Sequence, residues 1–447
     1  MSMRGWISRN FWKRARYRAT EEVLREIAHF NPQTTPNPYL LSTLQQALEE
    51  VPYYRQFSSG NGSPGSIEQF PLLTRQHLQN QFADLQNDQI SRNGWRGHGT
   101  SGSMGTPVAF IHDAIQHNWV RATEMWYYQN MVGMDLTDNP RVIIWSSSEL
   151  LWGNKMDLSN RINLYLSQAD RLGATLFTPA EFSETVRVIN RRRPKLIQGY
   201  ARCLYEIARY IQANNLRVHA PDVIVTTAEN LLPEMRALIE EIFRAPVRDL
   251  YGTREVGFIA GQCSHGRMHR FTFNVHSEIV NDQGNSVAVG ETGEVVVTSL
   301  HNRAMPLIRY SVSDMAVEPH QTNCPCGSRL PTFGDFGGRM GDYFPTAKGN
   351  MVYGFHFFRI LRDENWIQSF LIVQTKIDLI EVRYVPAAST PAGPTHRAEE
   401  RIRLVMGEEC RVIWTPVDQL PPTQAGKRHY AISLPSYQAQ QKRSGTN

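Results

Sequence analysis

No apolar stretch in this sequence approaches the roughly 20 residues that a membrane-spanning helix needs. The first twenty residues, MSMRGWISRNFWKRARYRAT, are basic but lack a secretory apolar segment and a small-residue cleavage site. Trp6, Ile7, Phe11 and Trp12 would share one side of a helix there, lying either on the protein body or on an anionic surface. Cysteine is scarce and odd in number, five in 447 residues, which argues against a disulfide framework and for a reducing compartment. The cytoplasm is therefore the expected location. No repeat recurs at solenoid periods. A concentrated basic face is missing too. The dense basic runs are the N-terminus and NRRRPK (190–195), short and far apart, which speaks against a nucleic-acid binder. The net charge of +5 is mild for this length and would suit an anionic small molecule.

What is present is an ordinary globular composition, 41% hydrophobic and 20% charged, in a chain long enough for roughly 2–4 domains. From about 114 to 257 helical and extended patterns alternate. AIQHNWVRATEMWYYQNMVG reads as a helix and RVIIWSS as a strand; LSNRINLYLSQADRLG as a helix and ATLFTP as a strand. EFSETVRVINRRRP, ARCLYEIARYIQANN and LLPEMRALIEEIF read as helices, and KLIQGY, PDVIVTTA and VRDLYG as strands. Such alternation predicts an α/β fold, a mostly parallel sheet with helices on both faces. MHRFTFNVHSEIV, TGEVVVTSL and PLIRYSVSDMAV then predict a strand-rich subdomain over about 258–338. The last hundred residues predict a small α+β domain with its own core. The expected domains are 1–340 and 341–447, divided near Gly341–Asp342.

Residues 97–107, GHGTSGSMGTP, are built of glycines and small hydroxyls. Glycines let backbone N–H groups converge on an anion, and Ser and Thr add donors. Yet the run contains no lysine or arginine, and without GK[ST] it is not a Walker loop. In DLYGTREVG a strand ends near Tyr251-Gly252, followed by Thr253 and the acid Glu255. Carboxyl ends of parallel strands are where open α/β sheets bind ligands. An aromatic there can stack on a base, and a carboxylate can hold Mg²⁺. TTAEN places Glu229 at the tip of the preceding strand. Asp314 is expected at the end of a strand, able to accept hydrogen bonds from two ribose hydroxyls. Arg339 lies in GGRMGDYF, and Lys427 in QAGKRHY. Each is ordinary alone.

In this order they resemble the adenylate-forming (AMP-binding) ligase superfamily, its phenylacetate–CoA ligase-like and capsule-biosynthesis-type branch, over about residues 95–433. TGEVVVTSLHNRAMPLIRYSVSD is the strongest match. The resemblance implies that Thr100, Ser101, Gly102, Ser103 and Gly105 receive the ATP phosphates. Glu229 lies near adenine, Tyr251 stacks beside the base within Tyr251-Gly252-Thr253, and Glu255 is linked to Mg²⁺. Asp314 holds the ribose, Arg339 reaches ribose and phosphate, and Lys427 belongs to a mobile C-terminal domain that delivers it to the site. Three positions depart from the pattern: Thr106 where many relatives have Lys, Arg254 where Ser or Thr usually precedes the acid (Arg also occurs there in capsule-type relatives), and Ser313 where Gly is common.

The implied activity is ATP-dependent activation of a carboxylic acid to an acyl-adenylate with release of pyrophosphate, then acyl transfer to a nucleophile. Coenzyme A is the favoured acceptor and an amine the alternative. A nucleotide-binding scaffold without turnover is the rival from another class. Trp145, Trp152 and Tyr200 would suit an aryl or arylacetic acid pocket, or be core packing. The oligomeric state stays open, a homodimer included. A second set, Cys263, His269 (with His265 as rival), Cys324 and Cys326, has no standard zinc-finger spacing. From spacing alone, free buried thiols are the simpler reading. Relatives in this branch carry Cys and His in these segments, which implies structural Zn²⁺. Cys203 and Cys410 are expected in the core.

Overall fold

The structure is a computed structural model. It describes residues 13–34, 37–58, 66–100, 108–136, 139–145, 169–173, 178–231, 233–281, 283–320, 323–339, 343–347, 351–353, 357, 360–361, 364, 366–387, 396–418, 420 and 431–433. Near the N-terminus come α1 (Lys13–His29), α2 (Pro38–Glu50), α3 (Pro52–Arg55) and α4 (Arg75–Asn80). A hairpin of β1 (Arg96–Thr100) and β2 (Val108–His112) follows, paired antiparallel from Arg96↔His112 to Thr100↔Val108. Residues 101–107, the glycine-rich run, lie outside the described residues. Asp113 starts α5 (Ala114–Tyr127), its carboxylate accepting from Gln116 N at 2.8 Å.

The expected alternation is there. β3 (Arg141–Trp145), β4 (Ala169–Gly173), α6 (Pro179–Arg192), β5 (Leu196–Tyr200), α7 (Ala201–Ala213), β6 (Val223–Thr227), α8 (Pro233–Phe243) and β7 (Val247–Thr253) form the parallel part of a sheet. The chain then reverses into β8 (Gly257–Gln262) and β9 (Met268–Arg270). A second sheet holds β10 (Val275–Val280), β11 (Thr292–Ser299) and β12 (Tyr310–Val317), with β13 (Thr332–Phe333) returning to the first and β14 (Phe336–Arg339) joining the second. The orders are β13-β9-β8-β7-β6-β5-β3-β4 and β10-β11-β12-β14. The strand-rich segment thus feeds two sheets, because β8, β9 and β13 extend the parallel one.

Strand side chains alternate between the two faces of the first sheet. Val142, Ile144, Ile197, Ile224 and Val247 pack against α6, α7 and α8. Leu196, Val223, Val225 and Leu250 pack in a separate cluster with Trp119, Met125 and Tyr127 of α5 and Ile27 of α1. β4 corrects the sequence reading. The strand is ADRLG, the end of the segment expected to be helical; the expected ATLFTP strand falls mainly on residues 174–177, outside the described ones. β4 is an edge strand, so Asp170 and Arg171 can stay at the surface while Leu172 packs on the core. Asp170 pairs with Arg192 at 2.7 Å.

Later in the chain come β15 (Tyr343–Pro345), β16 (Met351–Tyr353), β17 (Ile367–Lys376), β18 (Leu379–Pro386), α9 (His396–Met406), β19 (Arg411–Pro416) and β20 (Ala431–Ser433). Here β17 and β18 form a hairpin flanked by parallel β20 and β19. Phe344, Trp366, Ile372, Ile380, Ala398, Ile402 and Met406 make an apolar cluster of their own. Cys203 and Cys410 are buried in two of the clusters, as expected.

Asp249, on β7, is pushed up to about 6, chiefly by burial, against opposing help from the Thr226 hydroxyl and Arg236. The folded state therefore holds this proton more tightly than the unfolded chain does. Stability is lost as pH rises from about 4 through 6 and stays lost above. Asn keeps an acceptor for Thr226 Oγ1, which lies 2.7 Å from Asp249 Oδ1. Asp249→Asn is expected to stabilise by about 1–3 kcal/mol at pH 8, a gain that shrinks toward pH 4. Denaturant melts of both proteins at several pH values check this; a gain independent of pH would contradict it.

Candidate active site

The turn from β7 to β8 is tightly specified. A Cβ on Gly252 would lie 2.5 Å from the Gly257 carbonyl oxygen, so only hydrogen fits there. Gly257 has φ +84, and a Cβ on it would meet Val120 of α5 at 2.5 Å. Between them sits Glu255, buried at 7% exposure. His112 Nε2 donates to its backbone carbonyl at 2.8 Å, and Gln116 Nε2 donates to the next carbonyl, Val256, at 3.1 Å. Tyr310 Oη donates to its carboxylate Oε1 at 3.3 Å. The acid is thereby held by the hairpin, by α5 and by β12. Thr253 Oγ1 is buried with no hydrogen-bond partner among the described residues. Such an atom is costly unless a ligand or water completes it.

Tyr251 and Asp314 meet directly. Tyr251 Oη donates to Asp314 Oδ2 at 2.7 Å, and its ring packs on Phe336 with centroids 4.6 Å apart. Asp314 is cross-strand partner to Arg339, so the backbone of β14 brings that arginine to the same place. Asp314 does not end its strand, as expected from sequence; it lies within β12 (310–317). The strand is irregular there, with a register shift against β11 and Ser313 at φ +62. That irregularity lets an internal strand residue present its carboxylate to Tyr251. Ser313 adopts the left-handed region, which glycine occupies freely and other residues at a cost.

Glu229 follows Ala228, which has φ +67 at the tip of β6. Glu229 Oε2 accepts from the backbone N–H of Arg202 at 3.1 Å, in the first turn of α7. Tyr200, the N-cap residue, makes no side-chain cap of its own, so the carboxylate supplies the missing acceptor. Tyr200 is buried in the cluster of β3, β5 and α7. Of the other site residues, Ser101, Gly102, Ser103, Gly105, Trp152 and Lys427 lie outside the described residues. Thr100, Trp145 and Arg339 are described by backbone alone.

The cysteine–histidine set converges. Ligand atoms of Cys263, His269, Cys324 and Cys326 all lie within 4.8 Å of one another. Cys263 follows β8, His269 is on β9, and the other two precede β13, which pairs with β9 at Thr332↔His269. Cys263 and Cys324 sulfurs are 3.7 Å apart, and Cys326 Sγ is 3.3 Å from His269 Nε2. A tetrahedron with metal–sulfur arms of about 2.3 Å has an edge of about 3.8 Å, close to that sulfur separation. His269 Nδ1 donates to the Leu330 carbonyl at 2.9 Å, which leaves the Nε2 lone pair facing the thiols. His265 is excluded: it is exposed and its Nδ1 lies 3.1 Å from Ser264 Oγ.

Sequence reasoning missed His112, Gln116 and Tyr310, the residues that hold Glu255. Tyr310 stands inside the motif-like run that ends in Asp314, which was the available signal. Nothing local marks His112 or Gln116, because their contacts span about 140 residues.

This geometry has relatives. The chain is 22% identical over 379 residues to Protein CapK of Staphylococcus aureus, covering 82% of this chain and 80% of that protein. It is 26% identical over 303 residues to the phenylacetate–coenzyme A ligase of Escherichia coli, 61% of this chain and 64% of that one. The match thus spans less than two thirds of that enzyme's length. Both matches fall in the branch that the ordered motifs resemble. The chain is thus similar in sequence to proteins of the phenylacetate–CoA ligase-like branch of adenylate-forming ligases. No family model matches it. The adenylate-forming fold recurs in 2-hydroxyisobutyryl-CoA ligase, solved in its postadenylation state with R3-HIB-AMP. That structure has a TM-score of 0.68 and 19% identity, over 91% of this chain and 90% of that one.

Proposed function

We propose that this homologue activates a carboxylic acid with ATP, forming an acyl-adenylate and pyrophosphate, and then passes the acyl group to coenzyme A. The observation that carries the reading is the Tyr251–Asp314 hydrogen bond beside buried Glu255. It brings a base-stacking ring, a ribose acceptor and an acid to one strand-end turn, at the carboxyl edge of the parallel sheet. In this reading the Tyr251 ring lies beside adenine, near the tip that bears Glu229. Asp314 accepts from the ribose hydroxyls. Thr253 Oγ1 gains a partner, and Arg339 reaches ribose and phosphate.

Hydroxide is a poor leaving group, so the acid must first be activated. The substrate carboxylate attacks the α-phosphorus in line, and the bond to the bridging oxygen breaks as pyrophosphate departs. The protein's part is positioning and stabilisation of developing charge. Glu255, fixed through His112 and Tyr310, would hold Mg²⁺, which when bound shields the phosphates. Thr100, Ser101, Gly102, Ser103 and Gly105 would cradle them. The chain would divide near Gly341–Asp342, with Lys427 carried by the C-terminal part. Trp145, Trp152 and Tyr200 would wall a pocket for an aryl or arylacetic acid.

ATP–pyrophosphate exchange across aryl, arylacetic, fatty and amino acids tests the reading, with coenzyme A and then free amines added to the positive cases. Exchange with an aromatic acid and thioester formation are expected. ATP binding with no exchange for any acid would sink it and favour a scaffold; amide products without thioester would overturn the acceptor.

The four-ligand set would hold Zn²⁺ as a closed structural site, joining β8 and β9 to the segment before β13. Metal analysis of the purified protein is expected to find about one zinc per chain, as four protein ligands close one tetrahedral site. Cys324→Ser should lose the zinc and lower the melting temperature. Pyrophosphate exchange per folded molecule should persist, since no open coordination position is left for chemistry. A metal-free protein with unchanged melting temperature would contradict the assignment.

A further inference from the structure

Tyr251 and Asp314 join the first sheet to β12, and a charged pair does the same a few residues on. Arg270 Nη2, on β9, donates to Glu318 Oε2, directly after β12, at 2.7 Å. The arginine is buried, at 8% exposure. Tyr251, Ala260 and Arg270 stand opposite one another across β7, β8 and β9, so their side chains share one face of the sheet. Phe333 is on that face too, since it pairs with Met268, two residues before Arg270.

The Arg270 guanidinium carbon lies over the Phe333 ring, 4.3 Å from its centroid. Its Nε is buried and has no hydrogen-bond partner among the described residues, so the guanidinium rests on the ring rather than in water. A desolvated cation over a ring is at the strong end of this interaction's range. Phe333 meets Tyr251 edge to face, with centroids 6.3 Å apart at 88°. Phe336 fills the corner, 5.0 Å from Phe333 and 4.6 Å from Tyr251. Glu318, Arg270, Phe333 and Tyr251 thus form one chain of contacts, which ends at the hydroxyl on Asp314.

We infer that Arg270 is a positioning residue of the nucleotide site: it fixes the Phe333 ring, which sets the tilt of the Tyr251 ring for stacking on adenine. The inference rests on the acid-activation reading above, in which Tyr251 lies beside the base, and names what holds that ring still. A ring free to rock would lose entropy at each binding event. One wedged between Phe333 and Phe336 is ordered beforehand, and Arg270 keeps the wedge in place.

The test is calorimetric binding of AMP to the full chain. Arg270→Gln should weaken AMP about five- to thirtyfold, with the stoichiometry unchanged. A residue that only supports the fold would instead lower the number of competent molecules and leave the affinity of the others alone. Arg270→Lys keeps a cation over the ring and a partner for Glu318, and should stay within about threefold of wild type. Phe333→Leu should weaken AMP by a similar factor to Arg270→Gln, and combining the two should add little, because both act through one ring. Wild-type affinity in Arg270→Gln, or losses that multiply in the double variant, would overturn the inference and leave the activation reading standing. Should Arg270→Gln not fold, Glu318→Gln, at the more exposed end of the pair, carries the test. It should weaken AMP about two- to fivefold, and wild-type affinity there overturns the inference equally. If the wild-type chain binds no AMP, the activation reading itself fails and this inference falls with it.

Discussion

Lys427→Ala is expected to lower the rate of acyl-adenylate formation by about 10²–10³ while leaving acyl transfer from supplied acyl-adenylate near the wild-type rate. The reason is where charge develops. In the first half-reaction the α-phosphate passes through a crowded, more negative arrangement, and a positioned cation stabilises it. In the second half-reaction the phosphate is already a leaving group bound as AMP, and the C-terminal domain is proposed to have withdrawn its lysine. Lys427→Arg keeps charge but not the compact ammonium, so partial recovery is expected. Pyrophosphate exchange and single-turnover transfer from synthetic acyl-adenylate separate the halves. Equal loss in both would show that Lys427 is not specific to the first.

The largest expected loss of stability is at Glu278. Its carboxylate faces Arg309, Oε1 to Nη2 at 3.0 Å, and both side chains are buried, at 7% and 4% exposure. Burial pushes the Glu278 carboxyl up, and Arg309 pulls it back. Arg309 also donates to the carbonyls of Phe70, at 3.2 Å, and Gly284. Its own backbone is in the left-handed region, at φ +50. The Arg309 carbonyl accepts from Leu73 N at 2.9 Å, so one residue ties the N-terminal segment to the β10–β11 hairpin. Glu278→Leu would strand a buried guanidinium and should cost about 3–5 kcal/mol. Glu278→Gln keeps an acceptor and should cost less, about 1–3 kcal/mol. Equilibrium denaturation measures both. A cost under about 1 kcal/mol for Glu278→Leu would mean that the pair is solvated in practice.

Arg309 also shows how the site depends on the fold. The next residue, Tyr310, reaches Glu255, and Asp314 lies four further along the same strand. Loosening the Arg309 anchor should therefore disturb both acids, even though Arg309 touches neither in any contact described above.

Much of this was legible in the chain. Period-2 and period-3.6 patterns marked β5, α7, β6, α8 and β7, because apolar side chains there face a core on a fixed repeat. The pattern failed at β4, where an edge strand beside solvent carries Asp170 and Arg171 and loses the apolar signature. It failed more mildly at Asp314, since a bulge leaves no mark in composition. Glu229 could be placed at a strand tip but not recognised as the cap of α7, whose own N-cap residue is a tyrosine. Cys263, Cys324 and Cys326 were readable as ligand types, but the choice of His269 over His265 was not.

The sequence by itself determined the alternating α/β architecture, the order of the motifs and the kinds of chemical group on hand, since these follow from local periodicity and side-chain type. Only the tertiary structure decided which groups meet. Tyr251 and Asp314 are 63 residues apart, and His112 and Glu255 143. Hydrogen bonds at such separations form only after the sheet has closed its core, and no local pattern encodes where a distant backbone carbonyl will stand.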